Sequence, residues 1–294
     1  MAVPSQTGIL APLPAHGRVV EFESIPGADV GRALCALKSL PLDGSCVIGL
    51  GPGLVQGLRQ GIPGLHAFPA MSGPGCCVPS TQADLWCWVR GEDRGHILHH
   101  ARAVTALVQE AFQPVRSIDL FKHDRGLDLT GYEDGTENPD GEEAMAAGIL
   151  RDAGPGLDGS SFVAVQQWRH DLAMFGTFSR ETQDHIIGRR REDNEEIEEA
   201  PLSAHVKRTA QESFEPAAFI VRRSMPWADQ SGEGLVFIAF GRSLNAFEAQ
   251  LRRMTGQEDG IVDGIFRFSR PLTGSHFWCP PAGPDGLDLS AIGL

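Results

Sequence analysis

Positive charge is scarce in this chain. Its 294 residues carry 25 lysines and arginines against 38 aspartates and glutamates, a formal net charge of −13 with a pI near 5.2. A surface of that sign repels phosphate backbones and anionic headgroups, which argues against nucleic acid and against acidic membrane as partners. Long apolar runs are also lacking: no stretch approaches the roughly 20 residues of a membrane-spanning helix. The opening residues, MAVPSQTGILAPLP, hold no basic segment followed by an apolar core and no twin arginine, so the cytoplasm is the expected compartment. No cysteines are spaced C-x-x-C. The six present, at 35, 46, 76, 77, 87 and 279, read as buried or bystander thiols rather than a disulfide framework or zinc site. Tyrosine occurs once, at position 132.

Hydrophobic residues make up 41% of the chain, enough for a sizeable core, while 35 glycines and 20 prolines favour a loop-rich fold over a helical bundle. Residues 18–24 (RVVEFES) alternate like a strand. A short helix near 28–39 follows, then strands at 46–50 and 84–89. A longer helix over 93–112 carries Ile97, Ala101, Val104, Val108 and Phe112 at helical spacing, and a strand at 118–122 closes the set. The order then repeats. A strand over 162–168 precedes a helix capped by Ser179 and stopped at Gly188. Strands follow at 219–224 and 235–240, then a helix capped by Ser243 and ending at Gly256, and a last strand over 265–268. Strand–helix–strand twice in succession predicts an α+β fold of two ferredoxin-like domains, each an antiparallel sheet with helices on one face, as in dimeric α+β barrels. The expected units are residues 1–125, a connecting loop over 126–157, and residues 158–294.

That connecting loop holds the densest motif, Gly131-Tyr132-Glu133-Asp134-Gly135-Thr136-Glu137-Asn138-Pro139. Asp-Gly and Asn-Pro are ordinary turn dipeptides, so a plain surface turn is one reading. The other is a rigid loop whose glycines let the backbone approach a bulky ligand and whose Asp134 serves as a fixed general acid–base. The nine residues alone do not separate the two. The acidic run Glu192–Glu199 reads as a solvated loop rather than a metal cluster. Of ten histidines, His205 stands out, set in Ser203-Ala204-His205-Val206-Lys207-Arg208-Thr209 directly after the acidic run. In Phe219-Ile220-Val221-Arg222-Arg223-Ser224-Met225-Pro226, adjacent arginines on a strand face opposite ways, so at most one enters a buried site.

Together, GYEDGTENP, SAHVKRT and FIVRRSMP have the order and spacing of the dye-decolourising peroxidases, and the chain most resembles their compact bacterial, non-exported (B-type) branch. FVAVQQWRHDL, IIGRRREDNEE, LVFIAFGRSL and RFSRPLTGSHFWCP add to the likeness. The strong motifs run from about 120 to 281; over 1–119 only the element order is compatible. The resemblance implies haem b (iron protoporphyrin IX) in the C-terminal half, with His205 as the proximal iron ligand, Asp134 as distal acid and Arg222 as distal arginine. It also places Gly135, Thr136, Arg208, Ser224 and Asp263 among the cofactor contacts, Asp263 as the carboxylate that accepts the other ring N–H of His205.

The implied activity is reduction of hydrogen peroxide to water with one-electron oxidation of a small organic donor such as a dye or phenolic, at an acidic optimum. A haem-handling protein that stores or moves haem, or releases its iron, is the alternative, and a haem-free barrel that binds a metabolite is a third. Tyr132, Trp168, Trp227 and Trp278 are read as packing residues before electron relays. A homo-oligomer is expected. The Gly283–Leu294 tail has a flavour of cargo peptides that dock on encapsulating shell proteins, but an ordered C-terminus is the stronger expectation.

Overall fold

The computed structural model describes residues 4–41, 43–58, 61–284 and 286–294. The first half contributes β1 (His16–Ser24), α1 (Val30–Leu37), β2 (Cys46–Leu50), α2 (Pro52–Gly57), the hairpin β3 (Met71–Gly73) and β4 (Cys76–Val78), β5 (Leu85–Gly91), α3 (Arg94–Val108) and β6 (Phe112–Phe121). Helix α4 (Gly141–Gly148) lies within the segment expected as a connecting loop. The second half adds β7 (Ser161–His170), α5 (Leu172–Thr177), α6 (Arg180–Ile187), α7 (His205–Thr209), β8 (Val221–Arg222) and β9 (Met225–Asp229). After these come β10 (Gly232–Gly241), α8 (Asn245–Met254), β11 (Ser269–Pro271) and β12 (Ser275–Cys279).

Among the described residues, ten strands share one sheet, with the path β6-β1-β5-β2-β12-β7-β10-β8; β11 joins β7 and β9 joins β10. Every pairing in it is antiparallel. Numbered within its own half, each set of strands runs 4-1-3-2, which brings its first and last strands side by side and is the duplicated ferredoxin-like arrangement. The halves join where β12 meets β2 at Trp278 and Leu50, and β6 and β9 approach each other, so the sheet curls toward a barrel.

Strand alternation sorts the side chains. On β10, Val236, Ile238 and Phe240 face the barrel interior with Trp86, Trp88 and Phe277. Leu235, Phe237 and Ala239 face the opposite way, toward α8. On the outer face of the first half, Ala33, Leu34 and Leu37 of α1 and Ile97, Ala101, Val104 and Val108 of α3 cover the sheet. A fully buried Leu34 stabilises the fold by about 1.5–3 kcal/mol. Leu287, Leu289 and Ile292 of the C-terminal tail are committed to this same core. The six cysteines are all free.

Several expected boundaries shift. Helix α3 stops at Val108, and Phe112 instead opens β6; it is buried in the same core, so its helical spacing was coincidental. The segment over 219–224 pairs with β10 only at Val221 and Arg222, because Met225 already begins the next strand. Ser243 does not cap α8, whose N-cap position is Leu244 without a side-chain bond. The expected last strand at 265–268 is a 3-10 turn, Gly264–Arg267, started by the Asp263 carboxylate accepting from the Ile265 amide at 2.9 Å. Its place is taken by β12, five residues buried throughout, which therefore shows no alternation to betray it.

Candidate active site

A cavity opens between the α8-facing side of β7 and β10 and the segments that carry α7 and α8. Its wall is mostly apolar, with Leu235, Phe237, Phe247, Leu251, Met254 and Phe268, and a few polar groups converge on it: Asp134, His205, Arg222, Gln166, Asp128 and His170. Three residues that sequence reasoning singled out, Asp134, His205 and Arg222, thus line one cavity.

His205 is the first residue of α7. Its Nδ1 donates to Asp263 Oδ2 at 2.7 Å, and Asp263 is itself buried. With Nδ1 committed, Nε2 carries the free lone pair, the arrangement in which a carboxylate orients an imidazole that ligates metal. Burial alone pushes the His205 pKa down, but the charge and hydrogen bond of Asp263 outweigh it and the net direction is up. The preceding helix fixes where α7 begins. Ser179 accepts from the Thr182 amide at 3.2 Å to start α6, and Gly188 ends it at φ 97°. A Cβ there would press on Ala204 and Val206, the two neighbours of His205, at 3.1–3.2 Å.

Asp134 sits in a loop held from several sides. Asn194 Nδ2 donates to Thr136 Oγ1 at 2.8 Å and Glu133 Oε2 at 3.0 Å, Arg189 Nη2 to Glu137 Oε1 at 2.5 Å, and Gln211 Nε2 to the Glu137 carbonyl at 2.7 Å. Asn138 pairs with the main chain of Arg222 on both sides, accepting from its amide at 2.8 Å and donating to its carbonyl at 3.0 Å. The loop of the distal acid and the strand of the arginine are thereby one unit. Burial raises the Asp134 pKa; Arg222 opposes and Asp128 reinforces the shift. The Arg222 Nε is buried without a partner among the described residues, an unsatisfied donor in the cavity wall. Arg223 turns the other way, its Nη2 donating to the Leu10 carbonyl at 2.8 Å, as strand alternation requires.

Five expected contacts do not line the cavity, and one of them, Asp263, acts on it through the His205 ring. Arg208 places its guanidinium on both oxygens of Asp259 at 2.7 Å and on the Arg253 carbonyl. Thr136 is engaged by Asn194, and Gly135 shapes the turn at φ 82°. Ser224 lies beyond the end of β8, so the alternation that would bring it to Arg222's side is broken. Local spacing does not reveal a further pair of polar groups: His170 Nε2 meets Asp128 Oδ2 at 3.1 Å, and His170 Nδ1 meets Ser269 Oγ at 2.7 Å. Burial would raise the Asp128 pKa, but His170 and Thr130 outweigh it and the net shift is down. The signal was the histidine of WRHDL, whose partner is 42 residues away in sequence.

The acidic run, Glu192–Glu199, is largely exposed, with Arg190 paired to Asp193 at 2.8 Å and also to Glu195. Tyr132 is buried, donates to Asp184 and lines the cavity, as does Trp168.

Residues 125–283 match the family described as Dyp-type peroxidase, C-terminal. A dye-decolorizing peroxidase of Mycolicibacterium paratuberculosis is 32% identical over 222 residues, covering 74% of this chain and 63% of the relative. One from Rhodococcus erythropolis is 32% identical over 231 residues, covering 76% and 67%. Among solved structures, DyPB from Rhodococcus jostii RHA1 superposes with a TM-score of 0.87 at 26% identity over 96% of this chain and 97% of that one. A variant of it in complex with heme gives 0.86 at 26% over 93% and 95%. No helix among the described residues is long and apolar enough to cross a membrane.

Proposed function

The chain belongs to the Dyp-type peroxidase family, and from that membership and the cavity we propose that it is a haem peroxidase that reduces hydrogen peroxide while oxidising organic donors by single electrons. The observation that carries the reading is the His205–Asp263 hydrogen bond at 2.7 Å in a cavity that His205 shares with Asp134 and Arg222. The residues fit haem b: an imidazole with its free nitrogen left for iron, an apolar wall for the porphyrin, and an unpartnered guanidinium nitrogen. Haem bound there would supply the redox-active iron at which peroxide is reduced and which organic donors then return to its resting state.

His205 would hold the iron, and Asp263, by accepting from Nδ1, would make the imidazole a stronger donor. The Asp134 carboxylate would take a proton from one peroxide oxygen and give it to the departing one. Arg222, permanently charged, would stabilise negative charge as the O–O bond opens, and its position is fixed by Asn138. The apolar wall excludes water, which strengthens both effects. Simple haem storage needs neither Asp134 nor Arg222 in the cavity.

An ultraviolet–visible spectrum of the purified protein before and after hydrogen peroxide, followed by dye turnover, tests the reading. A Soret band that responds to peroxide and sustained dye oxidation are expected. Iron release from haem without turnover would replace the peroxidase reading with haem handling. The working form proposed is a cytoplasmic homo-oligomer, which light scattering of the purified protein checks.

A further inference from the structure

Across β7 and β10 from the barrel interior, on the far side of Phe247 from the cavity, three side chains from distant parts of the chain meet. His66 comes from the segment between α2 and β3, Glu248 from the first turn of α8 and His276 from β12, and their ligand atoms all lie within 4.8 Å of one another. His66 Nε2 stands 2.5 Å from Glu248 Oε1, and its Nδ1 donates to the Gly64 carbonyl at 3.0 Å. That second bond fixes the tautomer: Nδ1 carries the hydrogen and Nε2 presents its lone pair to the carboxylate. Two acceptors so close must share a proton or a cation.

His276 decides between these. It is fully buried, and neither ring nitrogen has a hydrogen-bond partner among the described residues. The His66 main chain approaches the ring without reaching hydrogen-bond geometry. Its neighbours are rings: Phe68 at 4.7 Å, His66 at 5.4 Å and Phe247 at 5.9 Å between centroids. A proton shared by His66 and Glu248 satisfies those two residues and leaves His276 unexplained, since a phenyl ring would fill the same space without unsatisfied nitrogens. A metal ion satisfies all three.

We propose that His66, Glu248 and His276 bind one borderline divalent cation, Zn²⁺ foremost, that clamps the first half of the chain to α8 and β12. Two imidazole nitrogens and one carboxylate oxygen suit zinc and its neighbours, whereas magnesium and calcium take oxygen donors. The His66 side chain is 46% exposed, which leaves a path for the ion and room for water in the fourth position. The site lies outside the His205 cavity but touches its wall, because Phe247 lines that cavity and packs on the His276 ring.

The test is calorimetric titration of haem-loaded protein, previously treated with a chelator, with Zn²⁺ and separately with Mg²⁺. Haem loading keeps His205 from competing. One Zn²⁺ per chain is expected, no Mg²⁺, and a zinc-dependent rise in Tm. His66→Gln, whose side chain is partly exposed and removable without a core cavity, and His276→Phe, which keeps an aromatic ring in place, each weaken zinc binding at least tenfold and abolish the rise. Both keep dye turnover within about twofold of the parent. Absence of a stoichiometric zinc site overturns the proposal, as does binding unchanged in His66→Gln or equal affinity for Mg²⁺.

Discussion

The imidazole of His205 and the carboxylate of Asp263 lie 58 residues apart in sequence and are joined by a 2.7 Å hydrogen bond. The other Asp263 oxygen accepts from the Ile265 amide at 2.9 Å, so the carboxylate is held from both ends. The buried acid fixes which imidazole nitrogen is protonated and leaves the second free for the cavity.

Removing the imidazole is expected to remove the cofactor. His205→Ala should purify without a Soret band while Asp134→Asn and Arg222→Leu retain one. An unaltered haem spectrum in His205→Ala would overturn the ligand assignment.

Asp263→Asn should keep haem but lose about 10–100-fold in the rate with peroxide, the usual cost of losing the partner that orients a metal-bound histidine. Its iron reduction potential should rise, because the imidazole donates less. Stopped-flow mixing and a redox titration read the two effects. A drop in rate with the potential unmoved would point to a merely structural role.

Asp134 acts as a base only when ionised, and burial raises its pKa above the ordinary 3.8 while Arg222 holds it down. Activity is therefore expected to fall along an acid limb that lies above pH 3.8. In Arg222→Leu the restraint is gone and the limb should move to higher pH. A limb that stays in place would separate Arg222 from the ionisation of Asp134.

The same shift has a stability consequence. A carboxyl whose folded pKa exceeds its unfolded value favours folding below the unfolded pKa, and that contribution is lost as pH rises through the folded pKa. At neutral pH the fold carries a buried charge that Asp134→Asn removes. The haem-free variant should be more stable than its parent by about 0.5–2 kcal/mol at pH 7, the gain usual when a functional polar group is given up. The gap should close as pH falls below 3.8. Urea unfolding at both pH values checks it.

Gly188→Ala should lower stability by about 1–2 kcal/mol, since an L side chain is strained at φ 97° and the new methyl presses on Ala204 and Val206. Haem affinity should fall with it, because those residues flank His205. A Tm and haem affinity equal to the parent's would show that this turn does not set the position of α7.

Much of this protein was written locally. The Ser179 cap with its Gly188 stop and the apolar stripes of α1 and α3 are short-range patterns that hydrogen bonding and helical period impose within a few residues. The order of elements carried the duplicated fold, and the motifs around Asp134, His205 and Arg222 carried the cavity's principal residues. Tertiary structure decided the rest. It chose β12 over the 265–268 turn as the closing strand, because a strand covered on both faces has no period to reveal it. It turned Arg208 onto Asp259, joined His170 to Asp128, tied Asn138 to Arg222 and gathered His66, Glu248 and His276. Each of these depends on which surfaces meet after the sheet curls, and contact between residues tens to hundreds of positions apart leaves no mark on the local spacing of either.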